Sequence, residues 1–355
     1  MARRAVRVVC SLDVEEEGLF RGRYPVASPQ TANLEHLHKL SGIMALGARP
    51  TLFCAYTVFD SDRAWQACEA LAGASRARAG DEAACEIGCH LHHWNTPPFA
   101  SEASCLDSVP SCELAPELMQ AKLHTLFERA RDRLGHRPTS FRMGRWDVRQ
   151  RHWPLLAEAG ILADASVRPL HAENAGHTRP SHFHAPLGPY RIAAGGKTIV
   201  EFPLTCAPLF PGLPWLATRG PRALYHAFHQ WGVLALLPVY HPLWAMQAAT
   251  LAHLASTASL ANGASGANGA SGPTISLTWH SSEMMPGGNP RLPTEAAVQG
   301  LLAKIRRYLS WLTSKYDVAF LTLGEFAKQA GPGLPVAFAE EDADWATPRT
   351  APKPS

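Results

Sequence analysis

The sequence predicts an α/β protein in which a parallel sheet closes, or nearly closes, into a barrel of about seven strands. Short apolar runs typical of buried strands alternate along the chain with longer segments that have apolar residues at helical spacing. Repeated strand-then-helix units form parallel sheets covered by helices, and seven or eight such units favour a barrel over an open sheet. The polar clusters all follow predicted strands, which is where α/β barrels build their sites.

The predicted elements alternate along the chain. The strands are short apolar runs, at Ala5–Leu12, Pro50–Thr57, Ala84–Cys89, Thr139–Met143, Ile161–Ala165, Ile199–Leu204, Thr274–Trp279 and Val318–Leu323. The helices carry apolar stripes, around Leu34–Met44, over Trp65–Ala74, from Met119 to Leu134, from Pro154 to Gly160 and from Val298 to Leu312. Three of these helices are expected to stop at a glycine, since glycine favours the left-handed conformation of a C-cap: Gly47, Gly135 and Gly160.

Composition excludes several classes of protein. With 355 residues, 46% of them apolar and 18% charged, the chain is globular and has a substantial core. A net charge of +3 and the lack of a dense basic stripe argue against nucleic-acid binding. The eight cysteines include no Cys-x-x-Cys pair, a usage that suits a reducing compartment. The sequence contains no run of about 20 uncharged apolar residues, so no membrane span is predicted.

We expect a single domain over residues 1–330 and a disordered tail over residues 331–355, which is acidic and then proline-rich. The small-residue near-repeat Ala261–Gly272 predicts a flexible surface insertion in this domain. Residues 171–260 are rich in proline, histidine and aromatic side chains and are interpreted as loops and helices that cover one side of the barrel mouth. Since the first apolar run is short and ends at Asp13, it predicts a strand rather than a signal peptide, and we expect a cytoplasmic location.

Two clusters at predicted strand ends indicate a metal site. Asp13 and Glu15 alternate at the end of the first strand, and His90 and His92 alternate at the end of the third. In an extended strand, alternate side chains share a face, so each pair can point the same way. Carboxylates and imidazoles that converge at one barrel mouth can bind a divalent metal and leave a spare carboxylate for proton transfer.

Two further clusters extend the pattern, and together the motifs resemble a known family. Ser140–Asp147 contains Phe-Arg-x-Gly-x-Trp, and Ser276–Ser282 ends a late strand at His280. With Asp-x-Glu after the first strand, Glu-Ile-Gly-x-His after the third and Asp164-Ala-Ser-Val, these motifs resemble the NodB-homology polysaccharide deacetylases, carbohydrate esterase family four. The resemblance runs over about residues 5–330. The stretches around His-Leu-His-x-Trp-Asn and His-Ser-Ser are most similar to a WalW-type branch.

The resemblance implies a distorted (β/α) barrel and metal-assisted removal of an acetyl group from an N-acetylated sugar. It implies that Asp13 is the general base, that Arg142 orients and ionises this base, and that His280 protonates the leaving amine. It also implies a divalent metal with Glu15 and His90 as ligands. The residue types alone favour Zn²⁺, held by Glu15 or Asp13 together with His90, because zinc accepts carboxylate oxygen and imidazole nitrogen. The partner is then an acetylated sugar or glycan precursor.

The second histidine ligand is ambiguous in the sequence. The family spaces its histidine pair four residues apart, and Trp94 occupies that position here. Strand alternation favours His92 as the ligand, whereas a turn after Cys89 would favour His93. Two alternatives therefore stay open beside the deacetylase: a metal-independent amide hydrolase on the same barrel, and a catalytically silent glycan-binding protein.

Several other polar and aromatic residues have both a functional and a structural interpretation. Trp94, Trp146 and Asp164 are candidate substrate-binding residues, although the pattern favours packing walls for the tryptophans and Asp164 could hold a turn. Glu16 and Glu17 could simply form a solvated turn. Five histidines in Pro- and Trp-rich stretches are interpreted as ordinary hydrogen-bonded residues: His171, His177, His182, His184 and His241.

Overall fold

The computed structural model describes residues 3–24, 26, 29–79, 85–100, 105–106, 109–169, 182, 185–206, 238–242, 244–249, 252, 273–330 and 333–338. The predicted insertion Ala261–Gly272 lies outside the described residues, as do residues 339–355 of the predicted tail and most of the segment 171–260. No helix among the described residues combines the length and the apolar character needed to cross a membrane.

The described strands form one curled sheet, which confirms the predicted α/β fold class. The strands are β1 Ala5–Val14, β2 Thr51–Ala55, β3 Glu86–Leu91, β4 Ser140–Met143, β5 Ala163–Asp164, β6 Tyr190–Ala194, β7 Lys197–Glu201, β8 Thr274–His280, β9 Asp317–Phe320 and β10 Val336–Phe338. Their order is β10-β6-β7-β5-β4-β3-β2-β1-β8, and β9 pairs with β1. Every pairing is parallel except that of β6 with β7.

Helices cover this sheet in the order expected of β-then-α units. They are α1 Ser41–Met44, α2 Tyr56–Asp60, α3 Asp62–Ala79, α4 Pro116–Leu134, α5 His152–Ala159, α6 Glu295–Lys315 and α7 Leu323–Ala330, with 3₁₀ segments at Leu19–Arg21, Ala32–Leu40, Ser111–Glu113, Gly144–Trp146 and Ser281–Met284. The helix predicted around Leu34 is thus mostly 3₁₀. Gly135 and Gly160 follow α4 and α5 as left-handed C-caps, as predicted.

Strand alternation divides the core into two parts. One face of β1 carries Val8, Cys10 and Leu12, which join the large apolar cluster between the sheet and the helices. The other face carries Val9, which packs with Phe53, Val200 and other residues of β2, β5, β7 and α7. This second cluster joins strands that are distant in the sheet order, so the sheet curls around it as a half-barrel.

Two strands at one side of the sheet, β6 and β10, were not predicted, whereas β7 overlaps the strand predicted at Ile199–Leu204. Tyr190–Ala194 and Lys197–Glu201 form an antiparallel hairpin through Gly195-Gly196, whose φ angles are 57° and 76°. Two left-handed residues make the tight turn that glycine pairs favour in hairpins, so this signal was present in the sequence. Val336–Phe338 then pairs with β6, which extends the sheet beyond the predicted boundary at residue 330. The assignment of one domain to residues 1–330 stays a prediction.

Candidate active site

The site lies at the carboxyl ends of adjacent parallel strands. In the sheet register Asp13 is paired with His280 of β8 on one side and with Phe53 of β2 on the other. His90 of β3 is paired with Arg142 of β4. Strand pairing therefore brings together polar residues that are 267 positions apart in the sequence at their extremes (13 and 280). All four side chains lie at the same end of the barrel.

Arg142 fixes the carboxylate of Asp13 in the barrel interior. Its Nη1 donates to Asp13 Oδ1 at 2.5 Å and to Thr278 Oγ1 at 2.8 Å. Its Nη2 donates to Ser11 Oγ at 2.8 Å. Its Nε donates to the carbonyl of Ala165 at 3.0 Å, and its guanidinium stacks over the ring of Phe53. Since the guanidinium is almost fully buried and bound on several sides, it holds the Asp13 side chain in one orientation.

Asp13 is set up to remain ionised. Burial raises the pKa of its carboxyl group, but the positive charge and hydrogen bond of Arg142, with the charge of His280, outweigh burial and lower the pKa to about 2. Asp13 Oδ2 lies 3.6 Å from His280 Nε2, so the carboxylate and the imidazole face each other across the site.

His280 is set up to hold a proton. Burial lowers its pKa, but the hydrogen bond to Glu283 and the charges of Glu15 and Asp13 raise it, with a net result of about 9. Glu283 Oε2 lies 3.3 Å from His280 Nδ1 and also accepts the backbone N–H of His280 at 3.0 Å. The ring of Phe20 packs edge-on against the imidazole, with 4.9 Å between the ring centroids. Glu283 thus orients Nε2 toward Asp13.

Glu283 was missed from the sequence although a signal existed. It follows His280 by three residues at the start of the 3₁₀ turn Ser281–Met284, and the two residues form a capping box. An acid at the third position of a helical turn commonly bonds back to the residue that precedes the turn.

Glu15, His90 and His92 form a candidate metal centre. Glu15 Oε2 lies 3.3 Å from His90 Nε2 and 3.4 Å from His92 Nε2, and the three potential ligand atoms all lie within 4.8 Å of one another. All three side chains are buried. One carboxylate and two imidazoles match the ligand set of catalytic zinc sites, which leave further positions for water or substrate.

The outer nitrogens of both imidazoles are held by the protein. His90 Nδ1 lies 3.0 Å from the carbonyl of Arg142, and His92 Nδ1 lies 3.2 Å from Glu16 Oε1. Bonds of this kind place the proton on Nδ1 and leave Nε2 free to bind a metal, as is usual for metal-binding histidines. Glu16 also accepts hydrogen bonds from Asn95 at 2.7 Å and from Thr57 at 3.2 Å.

The structure overturns the interpretation of Glu16 as part of a solvated turn. Its side chain is 0% exposed and is committed to three hydrogen bonds. A run of three glutamates reads as a surface turn in the sequence. Only the packing of Thr57 and Asn95 around the middle one turns it into a support for His92.

The ring positions decide between the two candidate histidine ligands. His93 Nε2 lies 3.1 Å from the carbonyl of Leu106, and His93 is outside the cluster of Glu15, His90 and His92. Trp94 is 1% exposed and stacks on the ring of His92 at a centroid distance of 4.2 Å. Strand alternation thus places His92 toward Glu15, and Trp94 packs behind it as a wall.

Of the other two candidate substrate-binding residues, one lines the pocket and one is enclosed in the protein interior. Trp146 is half-buried and lines the pocket above the site. Asp164 is 0% exposed, accepts a hydrogen bond from Trp153 Nε1 at 2.8 Å and another from Ser166, and shares a hydrogen bond with the buried Glu201. Its position favours the structural interpretation. Burial raises the pKa of both Asp164 and Glu201, so this carboxyl pair can share a proton.

A cavity of about 270 Å³ opens over these groups. Its base is formed by Asp13, Glu15, His90, His92 and His280, and its walls are Leu19, Phe20, Tyr24, Met143, Arg145, Trp146, Arg168 and His182. His182, interpreted from the sequence as an ordinary hydrogen-bonded residue, is 1% exposed and belongs to this wall.

The buried charges fit a bound cation. Burial raises the pKa of Glu15; His280 and His92 lower it and the negative charges of Asp13 and Glu16 raise it again, with a net result of about 7. A divalent cation among Glu15, His90 and His92 would supply the positive charge that favours the carboxylate. The donor set, its mutual distances and the held Nδ1 atoms therefore suit a metal ion.

Comparison with known proteins shows the fold. No protein-family model matches the chain, and no curated protein matches it. Among solved structures, a Mycobacterium smegmatis protein assigned as a polysaccharide deacetylase aligns with a TM-score of 0.52 at 16% identity, over 96% of this chain and 98% of that one. A Pseudomonas aeruginosa PAO1 protein with the same assignment aligns with a TM-score of 0.44 at 16% identity, over 92% and 91%.

A family 4 carbohydrate esterase from Streptomyces lividans aligns with a TM-score of 0.38 at 9% identity, over 90% of this chain and 93% of that one. At 16% identity, the likeness to the Mycobacterium smegmatis structure establishes a shared fold, and the class it defines is an α/β protein with a curled parallel sheet. The chemistry has to be argued from the site.

Proposed function

We propose that this protein is a metal-dependent hydrolase of the NodB-homology type that removes an N-acetyl group from an N-acetylated sugar or glycan precursor and releases acetate. One observation carries the proposal: an acid–base pair, Asp13 and His280, lies in one pocket with the three potential metal ligands Glu15, His90 and His92. The two groups come from motifs whose order along the chain resembles that family. The name of the Mycobacterium smegmatis structure agrees with this chemistry.

Glu15, His90 and His92 would hold the metal, and we propose zinc because it accepts imidazole nitrogen and carboxylate oxygen together. When bound, a divalent ion supplies Lewis acidity, which makes water a stronger nucleophile near neutral pH. Glu16 and the carbonyl of Arg142 keep the two imidazoles oriented for this role.

The protein's own groups move the protons. Asp13 Oδ1 is bound by Arg142, and Oδ2 faces His280, so Oδ2 accepts the proton of the attacking water. His280, protonated at Nε2 and held at Nδ1 by Glu283, donates its proton to the departing amine. Arg142 keeps Asp13 ionised between turnovers.

The experiment compares three matched variants with the wild-type protein for metal content and acetate release. The wild type should contain about one equivalent of a divalent metal and lose activity on chelation. His92→Gln should lose the metal, whereas His93→Gln should retain it, because His93 points to Leu106. Asp13→Asn should keep the metal and lose turnover by ~10²–10⁴-fold.

Each alternative predicts a different outcome. Acetate release that persists in metal-free protein would support a metal-independent amide hydrolase. Glycan binding without acetate release from any N-acetylated sugar would support a glycan-binding protein. A near-normal rate in Asp13→Asn would show that another group is the base.

A further inference from the structure

We infer that the substrate carries an anionic group, a phosphate ester or a carboxylate, next to the acetamide, and that Arg145 and Arg168 bind it. The inference rests on the proposed function for the identity of the reacting group. It concerns the outer wall of the pocket, where neither arginine belongs to the acid–base pair or the candidate metal ligands.

Both arginines are positioned by aromatic rings. The Arg145 guanidinium lies over Tyr24 at 4.4 Å and over Trp94 at 5.5 Å from the ring centroids, and that of Arg168 lies 5.5 Å from the centroid of Trp146. Both residues are half-buried and line the same cavity. Stacking engages the flat face of a guanidinium, and the in-plane donors of this group have the geometry that matches the paired oxygens of a phosphate or carboxylate.

The backbone at Arg145 and Trp146, in the wall of the cavity, is strained. Arg145 and Trp146 have φ angles of 60° and 57°, in the left-handed region that side-chain-bearing residues seldom occupy. Such conformations persist when the surroundings impose them and are concentrated at binding sites. Here they turn two consecutive large side chains, after the end of β4, into the cavity.

Arg168 is held from its backbone by a buried histidine. Its N–H donates to His182 Nδ1 at 3.1 Å, and His182 Nε2 lies 3.4 Å from the carbonyl of Val148. Nδ1 accepts, so the proton of the neutral ring is on Nε2. Burial, with the charges of Arg168 and Arg149, lowers the pKa of His182 to about 3, so its imidazole is neutral. His182 is therefore a positioning residue for Arg168.

The distribution of charge gives the sign of the ligand. Among the described residues that line the cavity, the acids are Asp13 and Glu15, both at the base. Asp13 is neutralised by Arg142, and a metal ion would neutralise Glu15. The wall then carries two cationic side chains. A neighbouring cleft of about 640 Å³, which shares Tyr24, adds Arg21 and Arg23 against the acid Glu17.

The experiment uses three N-acetylated sugars with the same acetamide: N-acetylglucosamine, its 1-phosphate and N-acetylmuramic acid, which carries a carboxylate. Binding by calorimetry and kcat/KM for acetate release are both measured. We expect the wild type to prefer at least one anionic sugar over the neutral one by about tenfold or more, the effect of one charge-assisted hydrogen bond. Whichever anionic sugar is preferred identifies the group as phosphate or carboxylate.

Arg145→Gln and Arg168→Gln should each lower that preference by about tenfold. Arg291→Gln is the matched control, because Arg291 also stacks on a ring, that of Tyr240 at 5.6 Å, but outside this cavity. Thermal melting confirms that each variant is folded.

The outcomes separate the two hypotheses. Equal binding and turnover of neutral and anionic sugars, or a preference that survives both substitutions, would overturn the anion site and leave the deacetylase proposal intact. An arginine-dependent binding preference without acetate release from any sugar would support the anion site and overturn the proposed reaction.

Discussion

Replacing Glu16 by glutamine tests whether this buried carboxylate is part of the metal centre. Glu16 is 0% exposed and accepts hydrogen bonds from Asn95 and Thr57 while its Oε1 faces His92 Nδ1 at 3.2 Å. Burial raises its pKa, but the neighbouring His92 and the hydrogen bonds from His92 and Thr57 outweigh burial and lower it, so the group is a carboxylate. Glu16→Gln removes this charge with almost no change of volume.

The expected loss follows from the geometry. If the glutamine oxygen faces His92 Nδ1, the imidazole keeps its orientation but becomes a weaker base. If the glutamine amide faces it, the ring must carry its proton on Nε2, where it cannot bind a metal. Loss of such a supporting carboxylate typically lowers metal affinity 10–100-fold, which is about 1.4–2.8 kcal/mol. Glu16→Gln should therefore bind zinc more weakly by this factor.

The assay is a titration of metal-free protein with Zn²⁺ against a competing chelator. Glu17→Gln serves as the control, since Glu17 accepts a hydrogen bond from the N–H of Asn33 at 3.2 Å, which a glutamine oxygen can also accept. Melting of the metal-free variants shows whether either change disturbs the fold. Zinc affinity within twofold of wild type for Glu16→Gln, together with loss of binding in His92→Gln, would refute the supporting role.

Two further predictions concern packing and pH. A Cβ on Gly144 would overlap the ring of His92. Gly144→Ala should therefore weaken metal binding and lower the free energy of unfolding by about 1–3 kcal/mol, as measured by melting. Gly188→Ala should do neither, because a Cβ at Gly188 meets no atom within 4 Å. Burial and nearby arginines lower the pKa of His152 from 6.5 to about 3, so the unfolded chain binds a proton in that range that the folded protein does not. The contribution of His152 to the free energy of unfolding is complete above about pH 6.5 and is lost as the pH falls toward 3, at up to about 1.4 kcal/mol per pH unit. His152→Gln should therefore make the free energy of unfolding decline less steeply between pH 6.5 and 5. The exposed His124→Gln should not, and an unchanged slope in His152→Gln would contradict this assignment.

Local periodicity determined the α/β architecture from the sequence. The run Ala5–Leu12 is short and mostly apolar, as in a buried strand, whereas the stripe from Met119 to Leu134 is long and repeats at helical spacing. Two-residue alternation also indicated that Asp13 and Glu15 can point the same way, and it favoured His92 over His93 as the partner of His90. These are properties of one strand, and the structure shows the corresponding placements.

Other features depended on contacts between segments far apart in the chain. Glu16 looked like a surface residue until Thr57 and Asn95 enclosed it, and Asp164 looked like a site residue until Trp153 and Glu201 surrounded it. Neither environment leaves a periodic signal in the sequence.

The sequence by itself determined which residue types stand at the ends of the strands, and hence the kind of chemistry available at the barrel mouth. Tertiary structure alone decided which of them are charged, oriented or enclosed. Arg142 lowers the pKa of Asp13, Glu283 turns His280, and His182 holds Arg168 in the pocket wall. The physical reason is that charge interactions and desolvation depend on distances of a few ångströms between side chains, and only the packed barrel sets those distances.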